Sequence, residues 1–126
     1  MGRPMHFEIH AADPGAAARF YTELFGWTAN TWADVPYRLL DTGAGPGING
    51  AIIQRRGPAP AVGAPVMGAV IVVGVADLDA TVTRAADLGA AIVVARHPVT
   101  GVGWSAYFRD PDENVVGLFQ DDVEAR

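Results

Sequence analysis

Residues 7–26 read FEIHAADPGAAARFYTELFG, and residues 66–89 read VMGAVIVVGVADLDATVTRAADLG. Each stretch starts with an extended apolar pattern, reaches an aspartate (Asp13, Asp77), continues with apolar residues at helical spacing and ends at a glycine (Gly26, Gly89). Aspartate is a favoured N-cap, because its carboxylate accepts from the free N–H groups of the first turn. Pro14 suits that turn, where its missing N–H costs nothing. Ala17, Phe20, Tyr21 and Leu24 mark the buried side of the first helix, and Leu78, Val82, Ala85 and Leu88 that of the second. The strands that precede the two helices are expected at residues 7–11 and 66–75.

Working outward, residues 27–33, 37–41 and 48–54 read as three further strands, separated by Asp34-Val35-Pro36 and the glycine-rich stretch 42–47. Residues 90–96, 104–109 and 114–120 do the same in the second half, with the turn Asp110-Pro111-Asp112-Glu113 before the last. Each half is therefore β-α-β-β-β. Ala12-Asp13 matches Ala76-Asp77, Gly26 matches Gly89, Tyr37 matches Tyr107 and Gln54 matches Gln120, at offsets between 63 and 70. Four ordered matches identify a repeat. The expectation is an α+β domain spanning 1–126, with one module at 5–56, a second at 66–120, and a linker at 57–65 stiffened by Pro58, Pro60 and Pro65.

Composition narrows the chemistry. The 126 residues include no Cys, and all nine basic residues are Arg. That excludes thiolate nucleophiles, disulfides, cysteine metal sites, Schiff bases and lysine-dependent phosphate loops. Ser105 is the only serine, and its surroundings lack the second glycine of a nucleophile elbow. A net charge of −5 without basic runs argues against nucleic acid and anionic membrane surfaces as partners. The longest apolar run, 66–76, is too short to span a bilayer. With no apolar stretch near the N-terminus, the expected location is the cytoplasm.

The double β-α-β-β-β order, FYTELFGW closing the first helix, and the ending GVGWSAYFRDPDENVVGLFQ resemble the vicinal oxygen chelate superfamily. That superfamily includes glyoxalase I, bleomycin-resistance proteins and extradiol dioxygenases. The resemblance covers residues 5–120 and implies a cup-shaped mixed sheet with helices outside, a ligand cavity, and homodimers with sites in or near the interface. For metal-dependent members it also implies four metal ligands, one from the first and one from the last strand of each module. The internal repeat puts those positions at His6, Val70, Ala51 and Gly117. Only His6 can ligate, since Val, Ala and Gly offer no lone pair. The expected cofactor set is therefore empty.

One strand offers an alternative metal site. His6, Glu8 and His10 alternate with Phe7 and Ile9, so they project from one face and could hold zinc, iron or manganese. The plainer reading makes them a polar cavity wall. Gly45-Pro46-Gly47-Ile48-Asn49-Gly50 matches a dinucleotide-binding spacing but precedes a strand, which marks it as a loop. His97-Pro98 reads as the start of a loop reaching Gly103, and Trp27 reads as core. Trp32 and Trp104, at strand ends, suit either ligand stacking or a dimer interface.

The expected function is binding of a small molecule without the usual metal, with His6, Glu8, His10, Trp32, Tyr37, Trp104 and Phe119 as ligand-binding residues. No catalytic residue is assigned. The alternative is a metal-dependent lyase, isomerase or dioxygenase built on His6, Glu8 and His10, or an acid/base catalyst using Glu8 or a histidine.

Overall fold

The computed structural model describes residues 2–31, 34, 37–66 and 68–126. The chain forms two compact units, Met1–Pro60 and Ala61–Arg126, whose boundary falls within the proline-rich linker. The first unit runs β1 (His6–Ala11), α1 (Pro14–Phe25), β2 (Thr28–Thr31), β3 (Arg38–Asp41) and β4 (Asn49–Gln54). The second repeats it as β5 (Val72–Gly74), α2 (Leu78–Asp87), β6 (Ala91–Val99), β7 (Gly103–Arg109) and β8 (Val115–Asp121). Each unit holds one four-stranded mixed sheet, in the orders β1-β4-β3-β2 and β5-β8-β7-β6. In both, the first strand lies parallel to the last and the remaining pairs are antiparallel.

Both predicted caps form. Asp13 accepts from the Ala16 N–H at 3.1 Å and Asp77 from the Ala80 N–H at 3.0 Å. Gly26 closes α1 in the left-handed conformation, with φ of 74°. In α2 the cap is Leu88, one residue before Gly89. The two matched glutamines repeat a tie between the last strand and the strand-to-helix junction. Gln54 Nε2 donates to the Ala12 carbonyl at 2.9 Å, and Gln120 Oε1 accepts from the Leu78 N–H at 2.7 Å.

The first unit buries Ile9, Leu40 and Ile52 from the sheet with Ala17, Phe20 and Tyr21 from α1. Tyr21 stacks on Trp27, with rings 5.8 Å apart and 8° from parallel, which places Trp27 against the core as expected. The second unit buries Phe108, Val116 and Leu118 against Leu78 and Ala85 of α2. Period-2 alternation thus assigns one sheet face in each unit to its helix.

Two sequence expectations need correction. Of the strand expected over 66–75, the described residues form only Val72–Gly74, and residue 67 lies outside them. Apolar composition alone does not make a strand; a ladder partner is required, and β8 supplies one for those three residues. Conversely, His97 and Pro98 belong to β6 and do not open a loop. Pro98 is tolerated because β6 is an edge strand. The register of β6 on β7 shifts twice, between Ile92 and Val94 and between Val94 and His97. Among the described residues no helix is long and apolar enough to cross a membrane.

Candidate functional site

Alternation along β1 sends Phe7, Ile9 and Ala11 towards the helix side and leaves His6, Glu8 and His10 exposed on the other. Parallel pairing sets Glu8 beside Ala51, and antiparallel pairing sets Leu39 on the far side of Ala51. These neighbours open onto a cavity of about 520 Å³ within the first unit. β1 lines it with His6 and Glu8, and Tyr37 and Leu39 contribute from β3 and the residue before it. β4 supplies Ala51 and Ile53, and Gln54, Arg55 and Arg56 line the end where that strand stops. The backbone N–H of Arg55 donates to the Ala11 carbonyl at 2.8 Å. The ladder with β1 therefore continues one residue past β4.

His6 Nε2 lies 3.5 Å from Glu8 Oε2, and the two side chains are 44% and 49% exposed. Such an open pair contributes only about 0–1 kcal/mol to stability, so its exposure counts for more than its energy. The cavity thus offers an imidazole–carboxylate pair, a phenol, two guanidinium groups and an apolar floor. Those groups can hold anions, accept hydrogen bonds and move a proton between imidazole and carboxylate.

The expected site residues separate on this frame. His6, Glu8 and Tyr37 share the cavity. His10, exposed on the same strand, is not among its described lining residues. Alternate residues on a strand stand about 7 Å apart, so His6 and His10 begin roughly 13 Å from one another at Cα, and Glu8 turns to His6. The three do not converge on one point. Among the described residues, no group of three or more His, Asp or Glu side chains could hold a metal ion. His6, Glu8 and His10 do not form such a group. Trp32 lies outside the described residues.

Trp104 and Phe119 belong to the second unit. The Arg96 guanidinium sits 3.8 Å from the centroid of the Trp104 ring, and the indole N–H donates to Asp122 Oδ2 at 3.0 Å. One face of that indole is therefore already covered. The indole hydrogen bond holds the Asp122 carboxyl below its ordinary pKa, helped by the Glu124 backbone N–H. Phe119 packs its ring over Gly103, where an added Cβ would lie 2.5 Å from Phe119 Cζ.

The four positions that the resemblance assigns to metal ligands do not fit a metal. His6 is directed to Glu8, Ala51 is a buried methyl group, and Val70 is aliphatic. At Gly117 the space itself is taken. A Cβ there would meet Val72 Cγ2 at 2.9 Å and Tyr107 Cε1 at 3.0 Å. Tyr107 also stacks on His97, with rings 6.4 Å apart and 12° from parallel.

Reading the sequence alone missed Leu39, Ile53, Gln54, Arg55 and Arg56. The signal for Arg55 was present: it continues the alternation of Ala51 and Ile53 on the cavity face. It is easily passed over because β4 itself ends at Gln54, one residue short of Arg55.

A profile of the Glyoxalase/Bleomycin resistance protein/Dioxygenase superfamily matches residues 3–118. No curated protein matches the chain. Among solved structures, a glyoxalase/bleomycin resistance protein/dioxygenase family enzyme from Burkholderia phytofirmans PsJN is 18% identical, with a TM-score of 0.75, covering 93% of this chain and 97% of its own. TioX from Micromonospora sp. ML1 is 21% identical, with a TM-score of 0.69, covering 96% and 100%. The fosfomycin resistance protein FosX from Listeria monocytogenes is 16% identical, with a TM-score of 0.72, covering 98% and 96%. At these identities the likeness is one of fold. The profile match spans most of the chain, which therefore belongs to the glyoxalase/bleomycin resistance protein/dioxygenase superfamily.

Proposed function

We propose that the protein binds a small organic molecule in the cavity of its first unit, without the metal ion used by metal-dependent members of the fold. The observation that carries this reading is the cavity's lining: an apolar floor of Leu39, Ala51 and Ile53 edged by a few polar groups. That mixture, at about 520 Å³, falls within the range of small-molecule sites. The donor set supports the metal-free part, because His6 has no ligating counterpart at Val70, Ala51 or Gly117.

Elemental analysis after purification without chelator, combined with equilibrium dialysis, tests the reading. Metal well below one equivalent, unchanged in His6→Ala, is the expected result. One equivalent of a transition metal that disappears in His6→Ala overturns it.

We further propose a homodimer whose contact includes β6. Val93 and Val94 are 44% and 43% exposed on this edge strand. Two register shifts, together with Arg96 and Pro98, blunt its hydrogen-bonding edge. Side-chain packing, and not strand addition, is the contact this surface supports.

A further inference from the structure

The cavity of the first unit is electrically two-ended. Glu8, with His6 at 3.5 Å, stands beside Ala51 in the parallel register. Arg55 and Arg56 line the same cavity four and five residues further along the chain from Ala51. At about 3.3 Å per residue, the backbone positions of Glu8 and Arg55 are about 13 Å apart along the strands. Ala51 and Leu39 stand level with Glu8, and between that level and Arg55 lies Ile53, which pairs with His10 of β1.

The geometry points to a ligand with the complementary layout: a cationic amine at Glu8, a carboxylate or other single anionic group at Arg55 and Arg56, and an apolar body between. This inference rests on the small-molecule reading of the same cavity and specifies the class of molecule. A guanidinium presents a fork of N–H donors that matches a carboxylate in two bonds, and two successive arginines make that end selective for anions. Glu8 is the one carboxylate among the described lining residues, and its half-exposed oxygens sit at the opposite end. A purely anionic molecule suits the positive charge of the arginines but leaves Glu8 facing apolar or negative substance. A purely cationic one satisfies Glu8 but meets two like charges. Only a dipolar molecule engages both ends, and its apolar middle gains from covering Leu39, Ala51 and Ile53.

The test uses the full chain and linear ω-amino carboxylates of five to eight carbons, each compared with the acid and the amine of the same length. Binding is followed by two-dimensional amide NMR and calorimetry. For at least one chain length the amino acid is expected to bind tenfold or more tightly than either single-charge analogue, with shifts at Glu8, Ala51, Ile53 and Arg55. Glu8→Gln should reduce its affinity to that of the acid, and the Arg55→Gln, Arg56→Gln double variant to that of the amine. All three substitutions lie on exposed or half-buried positions, and the amide spectrum verifies that the fold is kept. The inference is overturned if no amino acid exceeds its acid and its amine, or if Glu8→Gln leaves the ratio unchanged. Indole, neutral and apolar, separates the two readings. Shifts at Ala51 and Ile53 with indole alone leave small-molecule binding standing while the dipolar ligand fails. No shifts with indole or any charged probe remove both.

Discussion

The ring of Tyr107 lies across the place where a side chain on Gly117 would stand, with Tyr107 Cε1 at 3.0 Å from an added Cβ. At this position, which the resemblance assigns to a ligand, the volume that a side chain needs is filled by Tyr107 and by Val72 from the paired strand. Placing a donor here has to displace both.

Gly117→Glu is expected to lower stability by about 1–3 kcal/mol, the usual cost of overpacking a closed site. Dialysis against zinc or manganese should leave it without stoichiometric metal. Denaturant unfolding with elemental analysis checks both points, and adding Tyr107→Ala should recover part of the loss. A stabilised, metal-loaded Gly117→Glu protein would contradict this account.

In the first unit Gly50 faces a harder constraint. An added Cβ would come within 2.5 Å of the Phe7 carbonyl oxygen and 2.6 Å of the Phe7 ring. Phe7 is the β1 residue paired with Gly50, so its backbone cannot withdraw without breaking the parallel ladder. Gly50→Ala should therefore cost about 3 kcal/mol, at or above the upper end of ordinary overpacking. The Trp27 fluorescence transition reports it, because Trp27 packs on Phe7 with rings 5.8 Å apart.

Asp122 makes stability depend on pH at the acid end. Its carboxyl is held below its ordinary value, first by the Trp104 N–H and then by the Glu124 N–H. A group whose folded pKa is depressed contributes stability above its unfolded pKa and loses it as pH falls through the folded value. The contribution should be complete near neutral pH, begin to fall near pH 4, the unfolded aspartate range, and vanish only below the lower folded value. Asp122→Asn should flatten that part of the profile, followed as thermal midpoint against pH. An unchanged acid slope would show that the Trp104 contact carries no linkage.

Val94→Asp tests the proposed use of β6. Val94 is 43% exposed, so a charge there costs the isolated chain little, within about 0.5 kcal/mol. In a dimer it buries a charge against an apolar surface. Light scattering should show a dimer for the parent protein and a concentration-dependent shift towards monomer for the variant. A parent chain that is monomeric at micromolar concentration rejects the proposal.

The repeat was legible in the sequence because its punctuation is local. Asp13 and Asp77 cap their helices through contacts three residues away, and Gly26 needs only its own backbone freedom to end α1. Alternation along β1 likewise sorted Phe7 and Ile9 from His6 and Glu8 without reference to any distant residue. These features depend on spacing within one element, which the order of residues specifies directly.

Tertiary structure decided what spacing cannot carry. Residues 72–74 form a strand because β8 pairs with them, and His97 and Pro98 entered β6 because β7 lay alongside. The cavity depended on register in the same way: pairing put Glu8 beside Ala51 and carried Arg55 onto the same wall. It also turned Glu8 to His6 and left His10 out of the described lining. A side chain's face follows from its position along its own strand, but its neighbours follow from hydrogen-bonded pairing between strands remote in sequence.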